Sequence, residues 1–419
     1  MTSGRIGAWL RLGAATLAIG GAVGVVRVAG GVPAGSDPAG GVGGVARGVD
    51  LGGGGVPAPQ QSKDRQPRTS EDGGRLEKVG PTMSRVVPEN TPYDQWLAQT
   101  KARVPMFSGL VIDDVRTAPL KPWGDMGVNG LYIRMADYQI IDGFVLEIPP
   151  HGQTKPQRHM FEEGLYFFGG PGHTIIQQEG RRPERVDWKY RSLFAIPLNV
   201  RYQHFNDSDK PVRLLAVTSF PFVINSTDSV KFVYENPFEF RDRYNAQEDF
   251  LRKSEHVGQN QTVTNIVPDA LEFKLDAYER RGKNTTNMHW RMGGGDTMVD
   301  FHVSEMPGGV YKRAHRHSSD AFILLLSGEG YSLTWKEGAE TRTRVDWHEG
   351  TVFVPPIYWY HQHLNPGKEP ARYLAINAPT LVARLGLRFE DQIENDPPEI
   401  EQEFAREVAK RGGKLTKEP

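Results

Sequence analysis

Phe194-Ala-Ile-Pro-Leu-Asn-Val-Arg-Tyr-Gln-His-Phe-Asn206 and Phe353-Val-Pro-Pro-Ile-Tyr-Trp-Tyr-His-Gln-His-Leu-Asn365 are one segment written twice. The match extends on both sides. Pro211-Val-Arg-Leu-Leu-Ala-Val corresponds to Pro370-Ala-Arg-Tyr-Leu-Ala-Ile. Upstream, Glu147-Ile-Pro-Pro leads to Gln157-Arg-His159, then Glu163, then Phe168-Gly-Gly; Glu305-Met-Pro-Gly leads to His315-Arg-His317, then Ala321, then Ser327-Gly-Glu-Gly. Such self-similarity marks a repeated architecture. Each copy is a series of short apolar runs bounded by Gly and Pro, such as Gly143-Phe-Val-Leu-Glu-Ile and Ala321-Phe-Ile-Leu-Leu-Leu. That pattern predicts strands in a sandwich or barrel. The expected fold class is therefore all-β, a duplicated β-barrel.

The second copy carries the chemistry. His315 and His317 stand one residue apart, so on an extended strand both project from the same face. A third imidazole from the later His361-Gln-His363 segment can close a facial set of neutral nitrogen ligands. Such a set suits Fe(II), Mn(II), Ni(II) or Zn(II) and leaves positions open for substrate or oxygen. Six of the twelve histidines lie between 302 and 363, within strand-like sequence. The first copy keeps Gln157, His159 and Glu163, but Tyr202 stands where the last histidine should be. It is expected to be a degenerate barrel kept for structure. A weaker site from His159, Glu163 and His204 is the alternative.

Composition narrows the classes. A net charge of −1 recommends neither nucleic acid nor a cationic partner. The absence of cysteine removes disulfides, thiolate metal sites, iron–sulfur clusters and cysteine nucleophiles. Residues 1–82 are rich in Gly, Pro, Ala and Val and include Gly52-Gly-Gly-Gly55, so they are expected to be a disordered or signal/anchor-like extension. Arg5 and Arg11 precede a moderately apolar run from Leu12 to Val26. A start at Met83 implies a cytoplasmic protein, whereas use of residues 1–26 implies anchoring or export. The expected organisation continues with a first barrel over 83–225, a connection over 226–284, a metal-bearing barrel over 285–380 and a helical tail over 381–419. In that tail Ile400, Phe404 and Val408 recur at helical spacing, acidic residues come early, and Gly412-Gly413 end the helix.

The second copy resembles the cupin superfamily. Gly309, His315, His317 and Gly328 fit the first cupin motif, with Ala321 at its Glu position. Gly350, Pro356, His361 and Asn365 fit the second, with Tyr358 in place of a Gly. The duplication resembles bicupins, implying two tandem double-stranded β-helix (jelly-roll) barrels with a short C-terminal helix. Loss of the glutamate beside three retained histidines resembles the gentisate, salicylate and hydroxynaphthoate dioxygenase group. That resemblance implies Fe(II) held by His315, His317 and His361, with a small-molecule substrate and O2 as partners, and a homo-oligomer. Two features differ from the group. Its metal generally sits in the first cupin, and its carboxylate-binding Arg falls where this chain has Ile323. His363 is expected to act near the metal as a hydrogen-bond donor or general base. Arg313 is the candidate replacement anion anchor, and Asp320 is a possible carboxylate ligand one residue out of register. The expected reaction is C–C bond cleavage of a hydroxylated aromatic or an enolisable molecule. A Mn, Ni or Zn lyase, isomerase or decarboxylase and a non-catalytic ligand-binding bicupin are the alternatives.

Overall fold

In the computed structural model each repeat forms two facing sheets, and the strand order follows the repeat. The structure describes residues 77–79, 83–85, 90–293 and 298–416. In the second repeat, one sheet places Asp300–Met306, Ala371–Asn377 and Ala321–Ser327 side by side. Facing it are Thr343–Trp347, Gly330–Trp335, Tyr360–Asn365, His315–His317 and Glu390–Gln392. In the first repeat the equivalent large sheet aligns Asp142–Ile148, Val212–Thr218, Glu163–Phe167 and Leu193–Ile196. The sheet opposite it runs Glu184–Trp188, Gly172–Gln177, Arg201–Asn206.

Equivalent polar residues hold equivalent corners. The Asn206 side-chain amide donates to the carbonyls of Ile148, Pro149 and Lys210; Asn365 donates to those of Met306, Pro307 and Glu369. Arg213 pairs with Glu147 at 2.8 Å, and Arg372 with Glu305 at 2.8 Å.

The two large sheets pack back to back. Leu131, Ile133, Val145, Leu215 and Val217 of the first barrel share one core with Phe301, Val303, Phe322, Leu324, Leu374 and Ile376 of the second. At its centre the repeats differ in a complementary way. Where the second barrel has Phe301 and Phe322, the first has Gly143 and Gly164. A Cβ on Gly164 would lie 2.2 Å from the Phe301 ring, and one on Gly143 would lie 3.2 Å from the Phe322 ring.

Two further exchanges cross this plane. Val111–Ile112 pairs with Val352–Phe353 of the second barrel, while Ile266–Val267 pairs with Leu193–Phe194 of the first. The Asp320 carboxylate accepts the amides of Ile140 and Ile141 at 3.0 and 3.1 Å; Glu162 accepts those of Met298 and Val299 at 2.8 and 2.9 Å. Each carboxylate thus fixes the start of an inner strand of the opposite barrel.

The C-terminal helix is Pro398–Lys410. Its buried Ile400, Phe404 and Val408 cover Tyr331, Leu333 and Leu364 on the outer face of the sheet that carries the histidines. Residues 226–284 hold the helix Val230–Glu235 and several short strands, among them the exchanged Ile266–Val267. The expectations for residues 1–82 lie outside the described residues, apart from a hairpin joining Glu77–Val79 to Met83–Arg85. Among the described residues no helix is long and apolar enough to cross a membrane.

Gly164→Ala forces a methyl group into the Phe301 ring and is expected to lower unfolding stability by about 1–3 kcal/mol. Gly124, which has open space around it, provides the control: its alanine variant should unfold at nearly the wild-type urea concentration.

Candidate metal centre

His315 sits directly opposite His361 where the strand His315–His317 pairs with Tyr360–Asn365. Period-two alternation turns His315 and His317 inward and sends Arg316 outward, where it pairs with Asp391 and Glu337 and lies over the Tyr360 ring. The ligand-capable nitrogens of His315, His317 and His361 all lie within 4.8 Å of one another.

Backbone carbonyls orient all three rings. His315 Nδ1 donates to the Arg313 carbonyl at 3.0 Å, His317 Nδ1 to the Ser319 carbonyl at 2.9 Å and His361 Nδ1 to the Trp359 carbonyl at 3.3 Å. A carbonyl can only accept, so each Nδ1 carries the hydrogen and each Nε2 presents a bare lone pair. The rings are also held neutral. Burial, then the nearby Arg281 charge, pushes His317 down to about 4. His315 lies well below its ordinary value because of burial, Arg281 and the neighbouring imidazoles. His361 is lowered by burial and by its imidazole neighbours. Three neutral, pre-aimed nitrogens fit a divalent transition metal.

The backbone turn before His361 has an unusual residue. Tyr358 occupies the left-handed region at φ 65° and donates its amide to the His317 carbonyl at 3.0 Å. The equivalent residue in the first barrel, Asn199, has φ 57°. The turn geometry is therefore kept without glycine, at a cost on the order of 1 kcal/mol for the tyrosine.

His363 has a different set of contacts. The Trp347 indole donates to Ser332 Oγ at 3.1 Å, and Ser332 Oγ lies 2.9 Å from His363 Nδ1. The first barrel repeats this relay: Trp188 donates to Thr174 Oγ1 at 3.0 Å, 2.7 Å from His204 Nδ1. The His–hydroxyl–Trp relay is thus common to both barrels, whether or not three histidines converge nearby. Burial and the Lys312 charge keep His363 well below its ordinary pKa. Arg313 is half-buried, and its backbone rather than its side chain holds His315. Asp320 faces the first barrel, engaged by the Ile140 and Ile141 amides.

Two further groups, assigned no role from the sequence, act on the site. The Arg281 guanidinium pairs with Glu390, and its charge reaches His315, His317, His361 and His363. Buried Lys312 donates to Tyr373 Oη at 2.9 Å. Burial alone would push the Tyr373 phenol up, but Lys312, Ser304 and Arg281 together bring it below its usual range. The Arg280-Arg281 dipeptide just ahead of the second repeat was the available signal for the first group.

In the first barrel the corresponding position is filled. Tyr202 donates to Glu163 Oε2 at 2.6 Å, and His159 Nε2 lies 2.9 Å from both Glu163 Oε2 and Tyr202 Oη. His204 is held by Thr174 instead.

A search of curated protein sequences finds no match. The family model for the cupin domain matches residues 301–377. Among solved structures, the chain is similar to the salicylate 1,2-dioxygenase of Pseudaminobacter salicylatoxidans: 14% identity, TM-score 0.47, covering 61% of this chain and 75% of that one. It is also similar to the oxalate decarboxylase of Lactobacillus farciminis, at 12% identity and TM-score 0.46, covering 71% and 93% respectively. Residues 301–377 are a cupin domain, and with the same strand order and polar corners repeated in the first barrel, the chain has the fold of a bicupin.

Proposed function

We propose that this protein is a non-haem Fe(II)-dependent dioxygenase that cleaves a C–C bond in a small, anionic, metal-chelating substrate, such as a hydroxylated aromatic or an enolisable acid. The observation that carries this reading is the pairing of three neutral imidazoles with Ala321, which stands where the first barrel has Glu163. No carboxylate among the described residues then joins the three imidazoles as a ligand, and the coordination positions beyond the histidines are left for substrate and O2. When bound, the metal supplies the site at which a chelating substrate and O2 meet.

The chain's own groups favour a negatively charged substrate. Arg281 and Lys312 place two cations beside the histidines. An incoming carboxylate would share Arg281 with Glu390 in a charge-assisted contact. If Ser332 gives its hydrogen to His363 Nδ1, His363 Nε2–H is the donor facing the interior, suited to an oxygen that gains charge. Arg313, half-buried two residues before His315, would be a second anion contact. One observation favours a proton-transfer lyase, isomerase or decarboxylase using Mn(II), Ni(II) or Zn(II). The Lys312–Tyr373 pair is an acidified phenol beside the site, which such chemistry would use as acid or base.

Metal analysis and O2 uptake decide between these. Anaerobically purified protein should hold close to one iron and consume O2 with hydroxylated aromatic acids; manganese, nickel or zinc with turnover but no O2 uptake would establish the second reading. His361→Ala should lose both metal and turnover, and retained iron would exclude His361 as a ligand. Arg281→Ala should raise KM for an anionic substrate about 10–100-fold with the metal retained. The depressed histidine pKa values set the pH dependence. At about pH 5.5, three imidazoles titrating near 6.5 would each be about 90% protonated, weakening metal binding roughly 10³-fold. Here the folded site stays neutral, so competition titrations at about pH 7.5 and 5.5 should give affinities within about 10-fold of each other. The unfolded chain takes up those protons instead. Metal-free protein should therefore lose stability as pH falls below about 6.5.

A further inference from the structure

The first barrel has an interior of its own, with chemistry opposite to that of the second. A cavity lies among Trp96, Trp123, Tyr132, Phe220, Asp142 and Glu163, with further aromatic rings around it. Among the described residues no Lys or Arg lines it. The rings pack tilted or edge to face on one side of it: Trp96 against Tyr132 at 52°, Trp96 against Phe220 at 64° and Trp123 against Tyr132 at 74°, with centroids 4.6 to 6.1 Å apart. Aromatic faces carry partial negative charge, and a box of them attracts cations.

The two carboxylates differ. Glu163 is balanced internally. His159 Nδ1 donates to the Phe161 carbonyl at 3.0 Å, so the contact between His159 Nε2 and Glu163 at 2.9 Å must contain one shared proton. Asp142 has no such partner. Its contacts are hydroxyls: Tyr93 at 3.1 Å, Thr218 at 2.5 Å, and Tyr132. It is buried, and that burial pushes its carboxyl well above the usual range. A second group also lacks a partner. Trp123 is 4% exposed and its Nε1–H has no acceptor among the described residues. A buried acid group with no cation beside it and a buried indole donor with no acceptor, both among the described residues, line the same cavity.

We propose that the first barrel binds a small organic ammonium ion, its cationic head between Asp142 and the faces of Trp96 and Tyr132, with an oxygen of the same molecule accepting from Trp123. Trp96 is half-buried on the helix Pro92–Thr100 and stands at the mouth. The ligand would enter past it. This occupant is a different class from the anionic substrate of the second barrel, and its binding does not depend on which metal that barrel holds.

Calorimetric titration of the metal-loaded full chain with tetramethylammonium and choline tests the proposal, with 3,3-dimethylbutan-1-ol as the neutral isostere of choline. Choline should saturate, and the neutral alcohol should bind at least about 10-fold more weakly. Asp142→Asn and Trp96→Leu should each weaken choline by about 10-fold or more, with the metal content at His315, His317 and His361 unchanged. That metal content reports folding. If Asp142→Asn does not fold, Trp96→Leu, at the mouth, carries the test. Failure of both ammonium ions to saturate, equal binding of the neutral alcohol, or unaltered choline binding in both variants would overturn it.

Discussion

The seating of Phe301 on Gly164 and of Phe322 on Gly143 sets how closely the two large sheets approach, and much of the molecule follows from that distance. Only when the sheets are this close can Asp320 reach the Ile140 and Ile141 amides, and Glu162 those of Met298 and Val299. Those carboxylates fix the first residues of the inner strands. Ala321 immediately follows Asp320, and Glu163 immediately follows Glu162, so the contact plane also positions the residue that separates the two interiors chemically. A bulky and a small residue at equivalent repeat positions make the interface self-complementary without being symmetric, which specifies one pairing of the barrels.

The interiors have diverged around a shared frame. Both retain the Asn corner, the Arg–Glu pair and the His–hydroxyl–Trp relay. In the second barrel the inward groups are imidazoles, Lys312 and Arg281, with Ala321 leaving room. In the first they are Glu163, Asp142 and Tyr202 among aromatic rings. One frame therefore holds one interior lined by imidazoles and cationic side chains and another lined by acid groups and aromatic rings. Local substitutions are enough for this, because the Asn corner and the Arg–Glu pair are the same in both barrels.

The duplication, the strands, the terminal helix and the three convergent histidines were legible in the sequence because each rests on a period: two for His315 and His317, helical spacing for Ile400, Phe404 and Val408, and one repeat length for the motifs. What lacked a period stayed hidden. Val111–Ile112 and Ile266–Val267 are two residues each, too short for alternation to show which barrel they join. Arg281 lies in the stretch expected only as a connection, and the Lys312–Tyr373 contact spans 61 positions. The shared relay was equally invisible, since Ser332 and His363 are joined only by strand register. Asp320 is the reverse case. Being one residue out of phase argued against metal ligation, and its side chain does point to the opposite barrel.

The reciprocal exchange of Val111–Ile112 and Ile266–Val267 has a bearing on ancestry. A single-barrel chain built this way would lack an edge strand of its own and expose an unpaired sheet margin, which a second copy would fill by lending its leading segment. Two such copies would make a swapped dimer whose integrity falls with dilution. Joining them in one polypeptide makes the loan intramolecular, at an effective concentration set by tether length rather than by expression level. Either half could then accumulate substitutions in its chamber without risk of losing its partner.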